Sequence, residues 1–138
     1  MAETMQFDLV SPERSLVSTS VTSVQIPGAD GDMTAMPNHA PLITTLRPGI
    51  LSVMTQKGTD DYVVTGGFAE IGDGLTILAE SAMSKADLDQ VTFDRLHAEA
   101  VEVAGTAKTS DIAGAVDEAA KLLSDLNALA AAAGLQTR

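Results

Sequence analysis

Residues 75–104, LTILAESAMSKADLDQVTFDRLHAEAVEVA, contain the change of hydrophobic period that decides the fold. In the first part of this stretch apolar residues occupy every second position, as at Leu75 and Ile77, which is typical of half-buried strands. Beyond Ala86 they recur at spacings of three and four, starting from Phe93, which is typical of an amphipathic helix. The sequence therefore predicts a β domain followed by helices.

The period of two extends through the chain before this stretch. Phe7 and Leu9 alternate with polar neighbours, as do Val24 and Ile26. The residue pairs suited to tight turns or positive φ between these short segments are Pro27-Gly28, Asp30-Gly31, Pro48-Gly49, Lys57-Gly58, Gly66-Gly67 and Asp73-Gly74. The glycine doublet favours a bulge or a close backbone approach within strands. Such regular turns indicate a small antiparallel sandwich or barrel.

Two helical stripes are predicted after Ala86. The first comprises Phe93, Leu96, His97, Ala100, Val101 and Ala104, and we expect it to stop at Gly105. The second comprises Ile112, Val116, Ala119, Leu123, Leu126 and Ala130, and we expect it to start at a Thr109 or Ser110 cap and to end at Gly134. About four residues join the helices, which predicts an antiparallel hairpin.

Composition excludes several classes of protein. The formal net charge of -11 and the pI near 4.3 argue against binding to nucleic acid, because that requires basic side chains. The chain of 138 residues has no cysteine, and therefore no disulfide framework or thiolate nucleophile. No apolar run approaches the ~20 residues of a membrane span, so we expect no direct membrane insertion, and we expect a soluble, cytosolic protein.

His39 is one of two histidines and lies in a proline-rich stretch, MPNHAPL, at residues 36–42. One interpretation is a small metal- or ligand-binding β-sandwich enzyme that uses His39 with Asp30 or Asp32, since carboxylates and imidazole form metal sites. The simpler interpretation is that His39 donates a hydrogen bond to a backbone carbonyl inside a stiff loop. No nucleophile elbow is present, so a hydrolytic triad is not expected, and no phosphate-binding loop is present, so a nucleotide cofactor is not expected.

The prolines of this loop favour a contact surface. Pro37, Pro41 and Pro48 restrict the backbone, and a stiff loop with apolar residues such as Leu42 and Ile43 loses little entropy on binding. A free-standing β-sandwich adaptor, whose hairpin grips an unrelated partner, is a further interpretation of the same features.

Three stretches carry a resemblance to a known family. They are GADGDMTAMPNHAPLITTLRPGIL at 28–51, YVVTGGFAEIGDGLTILAESA at 62–82 and ADLD at 86–89. From about Phe7 to Leu96 the chain resembles the epsilon subunit of bacterial F-type ATP synthase. The resemblance implies an α+β protein, with an N-terminal antiparallel β-sandwich of about ten strands at 1–85 and a C-terminal antiparallel two-helix hairpin at 86–138.

The resemblance also implies a function. Epsilon is a non-catalytic subunit of the central stalk, or rotor, and couples proton translocation to ATP synthesis without a cofactor of its own. The implied partners are the gamma subunit and the ring of c subunits, with the beta and alpha subunits reached through the hairpin. The implied location is the cytoplasmic face of the bacterial inner membrane, where the protein is peripheral.

The family's motifs can be carried over to particular residues. The acidic position facing the c ring falls on Asp32, and the Pro-x-His-Ala-Pro-Leu motif falls on Pro37, His39, Ala40, Pro41 and Leu42. The resemblance therefore implies a partner interface at Asp32, His39, Pro41 and Leu42. Asn38 replaces the glycine of that motif, and because asparagine tolerates positive φ we expect the turn to be kept.

In the hairpin the resemblance is weaker. Some family members bind ATP through Ile/Leu-Asp-x-x-Arg-Ala, and here Asp94 and Ala98 match while His97 replaces the arginine. A neutral imidazole is a poor substitute for a forked cation, so we expect weak or absent ATP binding. An extended hairpin inhibits ATP hydrolysis in the family through basic residues. The second helix here carries mostly acids against Lys121, so we expect weak inhibition.

Overall fold

The computed structural model describes residues 3–109 and 112–135, and within them ten strands precede two α-helices. The strands are β1 Met5–Val10, β2 Ser15–Val21, β3 Ser23–Gly28, β4 Gly31–Ala35, β5 Leu42–Leu46, β6 Gly49–Thr55, β7 Gly58–Val64, β8 Gly67–Ile71, β9 Leu75–Ala79 and β10 Ala82–Ser84. A 3₁₀ turn at Lys85–Asp87 precedes helices α1 Gln90–Ala107 and α2 Ala115–Ala133. The chain divides into two compact units, at 1–85 and 86–138.

The first unit is the predicted β-sandwich, and this part of the prediction is confirmed. Its strands follow the order β10-β7-β6-β3-β5-β8-β9-β1-β2, with β4 also paired to β3. The described pairs are antiparallel except for β1 with β9, which run parallel and place Phe7 beside Leu75. The parallel pair was not predicted, because alternation within a strand does not indicate the direction of its neighbour.

The core of the sandwich consists of the residues that the period of two selects. Phe7, Leu9, Val24, Ile26, Leu75, Ile77 and Ala79 are all buried and belong to one hydrophobic cluster. Burying each large side chain contributes roughly 1.5–3 kcal/mol, and this cluster is what holds the strands together. The prediction of these inward positions is confirmed.

The residue pairs that contain glycine have different structural roles. Gly67 has φ 123°, and a Cβ there would collide with the backbone carbonyl of Leu78, so the predicted close backbone approach is confirmed. The prediction of a turn at Pro27-Gly28 is wrong, because both residues lie in β3. There the Pro27 carbonyl accepts the Arg47 N–H at 3.0 Å, and the Gly31 carbonyl oxygen leaves no room for a Cβ on Gly28.

Helix α1 starts at a side-chain cap and runs further than predicted. The Thr92 N–H donates to Asp89 Oδ1 at 2.8 Å, and this hydrogen bond holds the pKa of the Asp89 carboxyl below its usual range. The predicted stop at Gly105 is wrong, since α1 continues to Ala107. Ala107 is buried, and its packing holds the last turn in place.

Helix α2 starts later than predicted. The Thr109 hydroxyl donates to the Thr106 carbonyl at the end of α1, while α2 starts after Gly114. Ser110, the other predicted cap, lies outside the described residues. The helix ends at Gly134 with φ 74°, as predicted. The connection between the helices, at 108–114, is therefore longer than the expected four residues.

The predicted apolar stripe of α2 is buried only in its later part, which includes Ala119, Leu126 and Ala130. Ile112 and Val116, predicted as part of the apolar stripe, are exposed. The buried positions are Ala119, Leu126, Leu129 and Ala130. The prediction is wrong for the first part of the stripe: Ile112 precedes the helix and cannot share its face, and Val116 lies in the first turn of α2 but outside its buried positions. Neither described helix is long and apolar enough to cross a membrane.

Candidate functional site

The proline-rich loop between β4 and β5 contains a tight turn. The His39 N–H donates to the Met36 carbonyl at 3.2 Å, with Pro37 and Asn38 in the two central positions. Asn38 has φ 68°, and proline followed by a residue with positive φ is the arrangement of a type II turn. The prediction that asparagine can replace glycine here is confirmed. The Asn38 amide also donates to Glu3 Oε2 at 2.7 Å.

His39 is engaged by its own loop. Its Nδ1 lies 2.6 Å from the Ala40 carbonyl oxygen, so Nδ1–H donates to the backbone as the simpler interpretation predicted. Among residues 3–109 and 112–135, no group of three or more His, Asp or Glu side chains is arranged to hold a metal ion. The alternative interpretation as an enzyme, with His39 and Asp30 or Asp32 as ligands, finds no support in this geometry.

Asp32 lies on β4 and is held by an arginine that the sequence analysis did not single out. Arg47 Nη2 contacts Asp32 Oδ1 at 2.5 Å, and Arg47 Nη1 donates to the Gly28 carbonyl at 2.6 Å. The Asp32 side chain is nevertheless 55% exposed. The result is an oriented carboxylate at the end of the β3–β4 hairpin, with its charge partly offset by the guanidinium.

Apolar side chains are exposed beside this loop. Leu42 and Ile43 begin β5 and point to opposite faces of the sheet, because successive strand residues alternate. Ile43 is 69% exposed, and across the sheet Phe68 on β8 is 53% and Leu78 on β9 is 47% exposed. Phe68 pairs directly with Leu78 and lies diagonal to Ile43, whose own partner is Glu70.

We call Ile43, Phe68 and Leu78 the outer apolar face. Large apolar side chains that cluster on an exposed side of a sheet are typical of an interaction surface. The sequence analysis presented Ile43 as part of a contact loop and missed Phe68 and Leu78. The signal was available, because the buried Ala69 and Ile77 place both neighbours on the opposite face.

The residues of the degenerate ATP motif lie on α1 and have local partners. Gln90 Nε2 donates to Asp94 Oδ1 at 2.8 Å, and the His97 ring lies 6.0 Å from the Phe93 ring. Ala98 is exposed. Arg95, which directly follows Asp94 in the sequence, pairs with Glu99, and its Nη1 lies 3.6 Å from Glu99 Oε1. His97 therefore occupies the position of the motif's arginine, and the guanidinium of Arg95 is directed to Glu99.

Comparison with known proteins identifies relatives over most of the chain. The family model described as "ATP synthase, Delta/Epsilon chain, beta-sandwich domain" matches residues 4–85. The ATP synthase epsilon chain of Ruegeria sp. (strain TM1040) is 55% identical over 131 residues, which cover 94% of this chain and 96% of that one. The ATP synthase epsilon chain of Paracoccus denitrificans (strain Pd 1222) is 50% identical over 139 residues, covering 98% and 94%.

Two solved structures have a similar fold. A chain of the Euglena gracilis mitochondrial ATP synthase, in a structure of OSCP, F1 and c-ring, aligns with a TM-score of 0.70 at 23% identity, covering 94% of this chain and 81% of that one. A chain of the Tetrahymena thermophila mitochondrial ATP synthase, in a structure of central stalk and c-ring, aligns with a TM-score of 0.69 at 13% identity, covering 95% and 97%. At these identities the likeness concerns the fold alone.

Proposed function

The chain belongs to the family of ATP synthase epsilon chains, and from this premise we propose that it is a non-catalytic rotor subunit in the central stalk of a bacterial F-type ATP synthase. In this role it binds the gamma subunit and the c ring and couples proton translocation to ATP synthesis. It is peripheral at the cytoplasmic face of the inner membrane. Identity of 50–55% with curated epsilon chains over nearly the whole chain carries the proposal.

The outer apolar face suits the gamma subunit. A rotor subunit transmits torque, and an interface that must not slip needs apolar anchors that exclude water. Ile43, Phe68 and Leu78 provide such anchors on strands β5, β8 and β9, which are held rigid by the sheet. The neighbouring Glu70 and Thr76 supply polar groups at the border of this face.

The loop around Asp32, His39, Pro41 and Leu42 suits the c ring. Pro37 and Pro41 stiffen it, and the His39 and Asn38 hydrogen bonds hold its turn in one conformation. Asp32 presents a carboxylate that Arg47 has already oriented, so a polar loop can bind it with little loss of side-chain entropy. Because Asp32 is exposed, its attraction to a basic group is modest and falls with added salt.

Native mass spectrometry with the gamma subunit of the same organism tests the assignment. We expect a one-to-one complex, and we expect a Phe68→Asp, Leu78→Asp variant to weaken it by about 100-fold or more, because two carboxylates would be buried unpaired. The control is Met54→Asp, an equally apolar and exposed position on β6. It should bind like the wild type.

An Asp32→Ala, Leu42→Ala variant separates the two surfaces in the same experiment. We expect it to keep the gamma complex, since the loop is assigned to the c ring. Loss of the complex in this variant would mean that gamma binds the loop and not the outer apolar face. If the Phe68→Asp, Leu78→Asp variant bound gamma as tightly as the wild type, gamma would not bind the outer apolar face. If the wild-type protein formed no complex with gamma at all, the stalk role would be contradicted.

We expect no ATP binding at micromolar concentration. His97 replaces the arginine of the family's motif, and the nearby Arg95 is directed to Glu99. Isothermal titration calorimetry of the isolated protein measures this directly, with His97→Arg as the informative variant. Restoring the guanidinium should tighten any residual binding, because a forked cation pairs with phosphate oxygens. Micromolar affinity in the wild type would contradict the prediction.

We also expect the hairpin to inhibit ATP hydrolysis weakly. The described part of α2 carries Asp117, Glu118 and Asp125 against Lys121, and Lys121 is paired with Asp125 at 2.8 Å. Asp111 lies outside the described residues. A negatively charged helix is repelled by an acidic loop of the beta subunit.

Deleting residues 86–138 tests the hairpin in the assembled enzyme. We expect the rate of ATP hydrolysis to change by less than about twofold, which corresponds to well under 1 kcal/mol in the barrier. The control is Asp117→Lys, Glu118→Lys in the full chain, which should make the hairpin a stronger inhibitor. A many-fold rise in hydrolysis after the deletion would show that the wild-type hairpin is a strong inhibitor.

A further inference from the structure

A groove runs between the two helices of the second unit, with a volume of about 610 Å³. We call it the hairpin groove. Its walls are two facing stripes at helical spacing, namely Glu102, Val103 and Thr106 on α1 and Ala115, Glu118 and Ala119 on α2. With Glu99 on α1 and Leu122 on α2, which also line the groove, the stripes extend for about two helical turns, or roughly 10 Å. The groove is formed within the second unit and needs no contribution from the sandwich.

The floor of the groove is apolar because each helix contributes a buried alanine. Ala107 and Ala119 are buried at its base, and their small side chains leave space above them. Val103 is 53% exposed at the wall, and Ile112 is exposed at one end. When a partner covers large apolar side chains beside an open channel, their removal from water lowers the free energy of the complex.

The rim of the groove is acidic. Among the described residues its lining includes Glu99, Glu102 and Glu118 and no lysine or arginine. Arg95 partly offsets Glu99 at 3.6 Å, whereas Glu102 and Glu118 form no ion pair within residues 3–109 and 112–135. The whole segment 86–138 has nine acidic side chains against four basic ones, a net charge of -5.

We propose that the hairpin groove docks a basic amphipathic helix of another protein. An apolar floor with helical spacing accepts the apolar face of a helix, and the acidic rim pairs with lysine or arginine on either side of that face. The same charges reject the other candidates. A second copy of this chain would bring acid to acid, and an anionic lipid surface would be repelled.

This inference goes beyond the rotor role. The contacts proposed for gamma and the c ring lie on the sandwich, whereas the groove lies on the hairpin. A partner bound there recognises the hairpin by its negative charge. This polarity is opposite to that of the family's inhibitory hairpins, whose basic residues meet acidic loops. Binding of a synthetic peptide to this chain alone tests the groove, so the result does not depend on whether the stalk assignment holds.

The probe is a synthetic peptide of about 14 residues, or four turns, with leucine at i, i+3, i+4 and i+7 and lysine elsewhere. Its binding to the full-length protein is measured by fluorescence anisotropy at low and high salt. Two further peptides serve as probes of specificity, one with glutamate in place of lysine and one with the lysine and leucine order scrambled. We expect saturable binding of the basic amphipathic peptide, weaker at high salt.

Matched variants locate the site. Glu102→Gln with Glu118→Gln should weaken binding about tenfold, and its control is Glu13→Gln, an exposed acid on the sandwich. Val103→Ser with Ile112→Ser should also weaken binding about tenfold. Its control is Val91→Ser with Val101→Ser, two exposed valines of α1 that do not line the groove. Circular dichroism checks that every variant keeps its helices.

Three outcomes would overturn the proposal. The first is no binding of the basic amphipathic peptide at micromolar concentration. The second is equal binding by the groove variants and their controls, or equal binding of the scrambled peptide, since either result means unspecific attraction to the net charge. The third is a dimer in analytical ultracentrifugation that the Val103 and Ile112 variant abolishes, which would assign the groove to a second copy of this chain.

Discussion

Gly67→Ala is expected to lower the free energy of unfolding of the sandwich by about 3–5 kcal/mol. Two costs add at this position. A φ of 123° is strained for any residue with a Cβ, and the Cβ would overlap the Leu78 carbonyl on the neighbouring strand β9. Relief of the overlap requires β8 and β9 to separate, which breaks the pairing that holds the outer apolar face.

Two other glycines separate the costs. Gly58 has φ 142° and no atom within 4 Å of the position that a Cβ would take, so Gly58→Ala carries the backbone strain alone, about 1–3 kcal/mol. Gly72 has neither strain nor a close neighbour, so Gly72→Ala should lie within about 0.5 kcal/mol of the wild type. Urea unfolding followed by far-ultraviolet circular dichroism ranks the three. Equal losses for Gly67→Ala and Gly58→Ala would show that the overlap relaxes at no cost.

Phe7→Ala is expected to cost about 3–5 kcal/mol of folding free energy, because it opens a large cavity in a closely packed core. Phe7 is fully buried on β1, beside Leu75 of the parallel partner strand β9. Strand β1 is paired with β2 on one side and with β9 on the other, so the side chains around Phe7 are held by the sheet and cannot move far into the cavity. Thermal unfolding measured by calorimetry should show a correspondingly lower transition temperature for the sandwich.

Phe68→Ala is the matched control for the same substitution on the opposite face. Phe68 is half exposed, so its truncation should change stability by no more than about 1 kcal/mol. It should nevertheless weaken binding of the gamma subunit, whereas a folded Phe7→Ala protein at low temperature should bind normally. A large stability loss from Phe68→Ala would mean that the outer face is packed within the chain and is not a docking surface.

The alternation of apolar residues was sufficient to predict the sandwich core. Phe7 and Leu9, and likewise Val24 and Ile26, lie on the inner face because a strand reverses side at every residue. Element ends were predicted less well. Gly105 did not stop α1, because the burial of Ala107 outweighs the cost of one glycine in a helix. Thr109 caps nothing in α2, because its hydroxyl is used at the end of α1.

The candidate site was predicted in part. The proline-rich stretch 36–42 indicated a stiff contact loop, and the positive φ of Asn38 and the backbone hydrogen bond of His39 followed from residue type. The pairing of Asp32 with Arg47 did not, because the two residues are 15 positions apart and meet only when β3, β4 and β5 come together. The same holds for Phe68 and Leu78, which become one surface with Ile43 through strand register.

The sequence by itself determined the fold class, the position where strands give way to helices, the inward residues of the strands and the negative charge of the hairpin. These properties depend on residue type and on spacing within one element, where the backbone geometry is known in advance. Only the tertiary structure decided the parallel β1–β9 pair, the Asp32–Arg47 contact, the outer apolar face and the hairpin groove. Each of these joins residues from different elements, and their approach depends on the packing of the whole unit.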